Sequence, residues 1–358
     1  MMTGNKGEWS EIYVFLKLLA DGRLDAADAN LNVIPNIYYP IIKILRQENN
    51  KELEYCIKDE IRVFDENKNE LIHIPVIEFI NNSKLLFSYL RSSQGRSFAF
   101  EDIEDFLNSI KIFTLSATST DKSDINLVVH DLKTGLEPKL GFSIKSMIGK
   151  DATLFNAGST TNFIYEIIVN DQIVIDEINA IQTKPKIANR IQKIRENGCS
   201  ICFRNIQSDT LQLNLQLIDS DLPKILAELI ILKYTSPGDS SIALLVNQLT
   251  INNPLNFNLS QGHPFYEYKI KNFLTDSALG MTPAAKWNGN YDATGGLIIV
   301  KENGDLVCYH IYNHNEFQDY LFNNTRLEQA STSRYGFGDL YQENGKLFIK
   351  LNLQVRFS

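Results

Sequence analysis

Four polar side chains on two neighbouring strand-forming stretches could carry out hydrolytic chemistry. The first stretch begins at Asp124 and the second contains Ser143 and Lys145, with a turn signal at 134–135 between them. A hairpin centred on that turn would place Asp124 opposite Lys145 and Asn126 opposite Ser143. Because side chains alternate between the two faces of a strand, all four would share one face, with opposed residues about 5 Å apart.

A carboxylate and a lysine at that distance suit metal-assisted hydrolysis of a phosphodiester. Asp124 would hold Mg²⁺ against the scissile phosphate, and Lys145 would orient the attacking water and stabilise the transition state. An ordinary hairpin with one polar face in solvent fits the spacing equally well. The chemistry also needs a second acid, because one carboxylate is too little charge for a Mg²⁺ site. Nucleases of this kind place Asp or Glu two residues before the lysine, where this chain has Ser143.

Three glutamates could supply the second acid. Glu8 and Glu11 lie on the first predicted helix, and Glu166 lies on a segment expected to form a helix after the Ser143 strand. Each is an acid on an otherwise apolar segment, for which a solvent-facing charge is the ordinary explanation. Asp131 is a poor substitute, because the same hairpin register places it beside the turn. The residues alone leave this choice open.

Hydrophobic periodicity predicts the elements that must position these residues. Apolar residues at helical spacing between 12 and 19 predict an amphipathic helix, and the polar residues 156–162 predict the entry of another helix. Two strongly apolar stretches between 222 and 251 predict buried helices. Asn-Gly pairs at 303–304 and 344–345 predict hairpins. We therefore expect an α/β protein with a mixed sheet flanked by helices, and with additional C-terminal helices and hairpins.

The overall composition is that of a globular protein. The chain has 358 residues, 44% of them hydrophobic and 22% charged, and a net charge of −8. This charge argues against a general cationic coat for nucleic acid but not against a local basic cleft. No apolar run approaches the roughly 18 residues that span a bilayer, and the N-terminus lacks the pattern of a secretory signal. Four cysteines are too few for a disulfide framework. These features predict a soluble cytoplasmic protein with no membrane segment.

Basic, hydroxyl and amide side chains downstream of Lys145 could contact DNA. The candidates are Ser159, Thr160, Asn162, Lys186, Arg190, Lys193, Arg326 and Arg334. The three basic residues between 186 and 193 form one helical stripe that could follow a phosphate backbone, although a solvated basic face is equally expected. The last two arginines flank a polar stretch expected to be a loop, and arginine reads guanine through two hydrogen bonds. For residues 159–162, helix capping is the commoner role.

The order of several segments resembles the HpaII family of type II restriction endonucleases, with a variant PD-(D/E)XK nuclease core. The segments that carry the resemblance run nearly from end to end: GEWSEIYVFLKLLADGRL, KSDINLVV, LGFSIKSMIG, LFNAGSTTNFIYEI and GKLFIKLNLQVRF. The resemblance implies a Mg²⁺-dependent enzyme that cleaves double-stranded DNA at CCGG and leaves 5′-phosphates. By this resemblance, Asp124 and Lys145 occupy the aspartate and lysine positions of the motif, and Ser143 occupies the position at which the motif has an acid. The substitute metal ligand would be Glu166, or else Glu8 or Glu11.

The resemblance also implies an organisation and an assembly. Residues 1–115 would form an N-terminal helical and strand region, 116–215 the catalytic core, and 216–358 a C-terminal region that contributes to DNA recognition. A palindromic site favours a twofold symmetric homodimer. The competing hypothesis is a sequence-specific DNA-binding protein with a degenerate, inactive nuclease site, and a weaker one is a phosphodiesterase acting on nucleotides. Asp25 stands where the resemblance leads us to expect an apolar or aromatic residue.

Overall fold

The computed structural model describes residues 1–116, 123–149, 151–169, 175–236, 238 and 240–358. Lys122, in one of the segments quoted above, lies outside these residues. By its internal contacts the chain divides into two compact units. The first unit consists of Met1–Ala152, Ala278–Gly280 and Tyr291–Tyr320, and the second of Thr153–Ser277, Met281–Asn290 and Leu321–Ser358.

Helices and strands alternate along the described residues, so the predicted mixed α/β class is confirmed. The helices are α1 (Lys6–Asp21), α2 (Val76–Ser92), α3 (Glu101–Ser109), α4 (Ile175–Asn179), α5 (Lys186–Glu196), α6 (Asp209–Ile218), α7 (Leu222–Thr235), α8 (Ile242–Asn252), α9 (Phe265–Leu279), α10 (His314–Asn323) and α11 (Thr332–Tyr335). The strands are β1 (Arg23–Ala27), β2 (Val33–Glu48), β3 (Lys51–Ile57), β4 (Ile61–Phe64), β5 (Glu70–Ile74), β6 (Ile125–Val129), β7 (Lys139–Ser146), β8 (Thr153–Phe155), β9 (Asn162–Ile168), β10 (Ser200–Ile206), β11 (Gly296–Val300), β12 (Leu306–His310), β13 (Thr325–Leu327), β14 (Leu340–Glu343), β15 (Lys346–Asn352) and β16 (Val355–Phe357).

A nine-stranded mixed sheet organises the first unit. Its strands run in the order β1-β12-β11-β7-β6-β2-β3-β4-β5. β7 is parallel to β11 and β1 is parallel to β12, whereas the other neighbours are antiparallel. A further antiparallel pairing of β1 with β2 closes a ring of six strands. The hairpin of β6 and β7, on which the predicted site depends, is therefore held on both sides by other strands.

Helix α1 packs its apolar side into the core of the first unit. Asn5 caps the helix by accepting the backbone N–H groups of Gly7 and Glu8, and the Glu8 carboxylate in turn accepts the backbone N–H of Asn5. Gly22 ends the helix in the left-handed region, with φ of 68°. The apolar side chains between Ile12 and Leu19 belong to the same buried hydrophobic cluster as apolar side chains of the sheet. The predicted amphipathic helix is confirmed.

The second unit contains two smaller antiparallel sheets. Four strands run in the order β10-β9-β15-β14, and three run in the order β13-β16-β8. Helices α7 and α8 are the strongly apolar helices that the sequence predicts. The two predicted hairpins are confirmed as β11–β12 in the first unit and β14–β15 in the second. Among the described residues, no helix is both long and apolar enough to cross a membrane.

His310, at the end of β12, is buried as a neutral ring. The residue is 2% exposed and stacks on Tyr39, with ring centroids 4.6 Å apart. Its Nδ1 accepts the backbone N–H of Tyr312 at 3.1 Å, whereas its Nε2 is buried without a hydrogen-bond partner in the described part of the chain. Burial lowers the pKa of His310 to about 4, and the nearby Asp131 carboxylate only partly opposes this.

We expect this histidine to lower the stability of the protein as the pH falls from 6.5 towards 4. In that window the unfolded chain binds a proton that the buried ring does not, so protonation favours unfolding. The loss should approach about 3 kcal/mol near the lower limit. Denaturant unfolding at about pH 7.5 and about pH 4.5 measures it in wild type and in His310→Gln, with the exposed His73→Gln as control. The prediction fails if His310→Gln retains the pH dependence of the wild type.

Candidate active site

The predicted hairpin register, which put Asp124 opposite Lys145 and Asn126 opposite Ser143, is wrong by two residues. Asn126 lies opposite Gly141, so Asp124, which immediately precedes β6, comes level with Ser143. Because side chains alternate with a period of two, a shift of two residues keeps the predicted face. Asp124, Ser143 and Lys145 therefore still lie together, and the structure brings them into direct contact.

The connection between β6 and β7 is a loop organised by Asp131 rather than a tight turn. The Asp131 carboxylate accepts hydrogen bonds from the Lys133 backbone N–H at 2.9 Å and from the hydroxyls of Thr134 at 2.7 Å and Tyr312 at 3.0 Å. These hydrogen bonds lower the pKa of Asp131 to about 2. The carboxylate is committed to the loop, in agreement with the prediction that it is a poor substitute for an active-site acid.

A chain of hydrogen bonds links Lys145, Ser143 and Asp124. The Lys145 ammonium donates to Ser143 Oγ at 3.2 Å, and the Ser143 hydroxyl donates to Asp124 Oδ2 at 3.1 Å. The same carboxylate oxygen accepts the backbone N–H of Ile144 at 2.6 Å. Ser143 is buried, whereas Asp124 and Lys145 are half-buried. The serine therefore connects the lysine to the aspartate.

Gly141 allows β7 to approach the residues before β6 closely. A Cβ atom at Gly141 would lie 2.8 Å from Ser123 Cβ and 2.8 Å from the backbone oxygen of Asp292. A larger side chain would displace Ser123 and, with it, the neighbouring Asp124. The glycine thus helps to fix the aspartate relative to the strand that carries Lys145.

Glu11 is the acid that helix α1 contributes to this cluster. The hydroxyl of Ser10 bonds to that of Ser146 at 3.0 Å, which fixes the helix beside the end of β7. Burial raises the pKa of Glu11 to about 8, the negative charge of Asp124 adds to the rise, and Lys145 opposes it. Within the described residues, no hydrogen bond reaches the Glu11 carboxylate. The charges of Asp124 and Lys145 both act on Glu11, and a bound cation would stabilise the ionised form of this acid.

The other two candidates for the second acid have different partners. Glu8 belongs to the capping box of α1 and accepts a backbone N–H at 2.7 Å. Glu166 lies on β9 and not on a helix, and its carboxylate binds Arg204 at 2.7 Å and Lys346 at 3.3 Å. The helix prediction was wrong because the polar residues before it form only a single 3₁₀ turn, Ser159–Thr161. The aromatic and β-branched residues that follow pair with strands on both sides.

Comparison with known proteins places the chain in a family. The family described as HpaII restriction endonuclease matches residues 5–357. The chain belongs to the HpaII restriction endonuclease family. The type II restriction enzyme HpaII of Haemophilus parainfluenzae is 45% identical to it over 357 residues, which cover 99% of this chain and 98% of that relative. No solved structure matches the chain significantly. The resemblance inferred from the sequence segments is confirmed, and with it the enzyme class, that of DNA-cleaving hydrolases.

The side chains predicted to contact DNA in this HpaII-family chain differ in exposure. Ser159, Lys193 and Arg334 are exposed; Thr160, Lys186 and Arg326 are half-buried; Asn162 and Arg190 are buried. The Asn162 amide donates to the backbone oxygen of Tyr335 at 2.9 Å and accepts from Asn352 at 2.7 Å, so it is a structural residue in this conformation. The two arginines expected in a loop lie instead on β13 and on the short helix α11.

Arg190, at the centre of the predicted basic stripe, is fully buried. Its guanidinium donates to the backbone oxygen of Gly338 at 2.6 Å and to that of Asn179, and it pairs with the Asp339 carboxylate. The expected continuous basic stripe on α5 is therefore wrong at this residue. Helical spacing shows that residues share a face, but it does not show whether that face meets solvent or protein.

Replacing Arg190 with alanine is expected to lower the free energy of unfolding by about 2–4 kcal/mol, because buried carbonyl oxygens lose their donor. Lys193→Ala on the same helix removes an exposed charge and should change stability by no more than about 0.5 kcal/mol. Denaturant unfolding of the two variants makes the comparison. Equal stability of the two would show that the guanidinium contacts contribute nothing.

Sequence reasoning missed Arg46, which contributes to the electrostatics of the site. Arg46 lies on β2, is 7% exposed, pairs with Glu48 at 2.7 Å, and its charge opposes the rise in the pKa of Glu11. A single arginine within the apolar run of β2 was the available signal. Asp25, where an apolar residue was expected, is half-buried on β1 and pairs with Arg23 at 3.3 Å.

Proposed function

We propose that the protein is a type II restriction endonuclease that cleaves double-stranded DNA at CCGG by Mg²⁺-dependent phosphodiester hydrolysis, leaving 5′-phosphates. The observation that carries the proposal is the hydrogen-bonded chain from Lys145 through Ser143 to Asp124, with Glu11 beside it. Membership of the HpaII restriction endonuclease family supports endonuclease activity. The CCGG specificity is proposed from the resemblance of the sequence segments to that family.

The two acids of the site fit a hard divalent cation. Mg²⁺ is usually held by one or two carboxylates together with waters and substrate phosphates. Within the described residues, no group of three or more His, Cys, Asp and Glu side chains could hold a metal ion. Within the described residues, the hydrogen bonds to the Asp124 side chain fall on Oδ2, which leaves Oδ1 as a ligand. Glu11, with its raised pKa, is the acid whose ionised form a cation would most stabilise.

Asp124 and Glu11 would hold the ion, and Lys145 and Ser143 would complete the site. The ion supplies charge neutralisation at the phosphate and acidifies water when it is bound. Lys145 places a positive charge beside the scissile phosphate and orients the attacking water. The hydroxyl of Ser143 fixes Lys145 relative to Asp124 without adding a negative charge, so in the described part of the chain the ammonium has no direct carboxylate partner to compete with phosphate.

We further propose a restriction-endonuclease-like core within the nine-stranded sheet, with α1 packed on it, acting as a homodimer on a palindromic duplex. The core would take β6 and β7 from the predicted 116–215 segment and Glu11 from the N-terminal region, with residues 216–358 contributing to DNA recognition. The mixed pairing around β7, antiparallel to β6 and parallel to β11, supports this interpretation.

Digestion of an unmethylated plasmid of known sequence, followed by mapping of the ends, tests the specificity. We expect discrete fragments whose 5′-phosphorylated ends fall within CCGG. A plasmid in which every CCGG is changed to GGCC keeps composition and symmetry, and it should stay intact. Discrete ends at another sequence would retain the hydrolytic mechanism and refute the CCGG assignment.

A further inference from the structure

Two arginines face each other on adjacent strands of the three-stranded sheet. Arg326 of β13 lies directly opposite Arg356 of β16 in an antiparallel pairing. On both strands the residues on either side of the arginine are buried, so the two arginine side chains project from the opposite, outer face. Like charges directly opposite one another on neighbouring strands are destabilising. Such a pair is stabilised when an anion binds to both guanidinium groups.

Glu328 compensates part of this positive charge. Arg326 donates to Glu328 Oε2 at 3.3 Å through both Nε and a terminal nitrogen, and to the backbone oxygen of Phe357 at 2.9 Å. The Nε of Arg356 is buried and has no hydrogen-bond partner among the described residues. The Glu328 carboxylate therefore accepts hydrogen bonds from Arg326, whereas the buried Nε of Arg356 has no acceptor among the described residues.

Lys233 of α7 adds a third positive charge to the same region. Its Nζ is buried without a hydrogen-bond partner in the described part of the chain, and so is the neighbouring Tyr234 hydroxyl. Burial lowers the pKa of Lys233 to about 8. The negative charge of Glu328 opposes this fall, and the positive charge of Arg326 adds to it. A buried donor without an acceptor costs about 1–3 kcal/mol. A phosphate group, with several acceptor oxygens and negative charge, would satisfy donors of this kind.

We propose that Arg326, Arg356 and Lys233 form a phosphate-binding site for the DNA backbone, and that Glu328 competes with the phosphate for Arg326. Guanidinium groups bind phosphate through paired hydrogen bonds, and Lys233 adds positive potential from within the protein. The site assigns Arg326 to the backbone instead of to a guanine edge. A phosphate contact positions the duplex and carries no sequence information. The inference rests on the proposed function only in naming DNA as the source of the phosphate.

Duplex binding without metal, measured over a range of salt concentrations, tests the site. Loss of one phosphate contact in Arg356→Gln should reduce the magnitude of the slope of log affinity against log salt by about 0.9. Over a fourfold increase in salt, the affinity ratio of wild type to variant should then shrink roughly threefold. Arg91→Gln, which removes an exposed arginine from α2 of the first unit, is the matched control and should leave the slope unchanged.

Two further comparisons separate a phosphate site from the alternatives. Arg356→Gln and Arg326→Gln should weaken binding equally to a CCGG duplex and to one lacking CCGG, because every duplex offers the same phosphates. Glu328→Gln removes the competing carboxylate and should strengthen binding to both duplexes several-fold. Thermal unfolding in inorganic phosphate reports on the site independently of DNA: phosphate should stabilise the wild type more than Arg356→Gln.

The outcomes distinguish this site from the proposed function. An unchanged salt slope in Arg356→Gln would overturn the site, and a loss confined to the CCGG duplex would overturn it in favour of guanine reading. Stabilisation by inorganic phosphate that depends on Arg356, in a protein that binds no duplex, would overturn the DNA assignment and with it the nuclease function. A reduced slope in a protein that binds duplex but does not cut it would support the site while the proposed function fails.

Discussion

Asparagine in place of Asp124 is expected to reduce single-turnover DNA cleavage by about 10³-fold, because the site loses a charged ligand for the cation. The amide oxygen of the introduced asparagine would still accept the backbone N–H of Ile144 and the Ser143 hydroxyl, so the local structure should survive. Duplex binding without metal should be equal to that of the wild type or tighter, because a negative charge is removed from beside the phosphate. Lys145→Met should cost about 10²–10³-fold in cleavage by removing the transition-state charge.

Asp131→Asn is the matched control for Asp124→Asn, since its carboxylate is held by the loop between β6 and β7 and by the Tyr312 hydroxyl. It should retain most of its cleavage activity and lose some stability near neutral pH, and this difference from wild type should shrink as the pH falls from 3.8 towards 2, where the wild-type carboxylate itself becomes protonated. Wild-type cleavage rates in both Asp124→Asn and Lys145→Met would refute the assignment of this site.

The second large effect is expected from Glu11→Gln, which should lower single-turnover cleavage by about 10²-fold or more at limiting Mg²⁺. Glutamine keeps the size of the side chain on α1 but cannot supply charge to the cation. Part of the lost rate should return as the Mg²⁺ concentration is raised, because weakened metal binding is partly restored by mass action. A titration of the cleavage rate with Mg²⁺ measures the shift.

Glu8→Gln and Glu166→Gln are the controls that decide which acid completes the site. Glu8 caps α1, so its replacement should cost up to about 1 kcal/mol of stability and leave cleavage nearly unchanged. Glu166 is held by Arg204 and Lys346, and its replacement should leave the Mg²⁺ dependence unaltered. A Mg²⁺ shift in Glu166→Gln with none in Glu11→Gln would reverse the assignment.

Ser143→Asp in the Glu11→Gln background offers a test of the displaced acid. The new carboxylate would stand beside Asp124, at the position where the resemblance of the sequence segments leads us to expect an acid. Partial recovery of Mg²⁺-dependent cleavage in the double variant is expected, whereas Ser143→Asp alone should add repulsion next to Asp124 Oδ2. Further loss of activity in the double variant would show that Glu11 does more than supply charge to the metal.

The sequence predicted the shared face of the hairpin of β6 and β7 correctly and its register incorrectly. Alternation of side chains depends only on the period of two, so an error of two residues left Asp124, Ser143 and Lys145 together. The register depends on the loop, and the hydrogen bonds of Asp131 that shape that loop give no periodic signal. The alternation of side chains along the two strands therefore identified the residues that share a face, and the geometry of the loop determined which of them lie opposite one another.

The second acid could not be chosen from the sequence for a different reason. Glu8 and Glu11 are three residues apart and lie on neighbouring positions of one helix, so periodicity treats them alike. The capping box that occupies Glu8 and the Ser10–Ser146 contact that places α1 beside β7 are tertiary features. Similarly, the helical spacing of Arg190 was read correctly, but its burial depends on the loop at Gly338 and Asp339 and on the end of α4 at Asn179, which contact its guanidinium.

The most direct test of the central claim is digestion of unmethylated plasmid by the chelator-treated wild-type protein, with and without added Mg²⁺. The proposed site predicts discrete fragments when Mg²⁺ is restored and intact plasmid in the presence of chelator. Fragments that form equally well in chelator would contradict a site built on Asp124 and Glu11. Tight duplex binding without cleavage under both conditions would contradict the nuclease function and favour a DNA-binding protein with an inactive site.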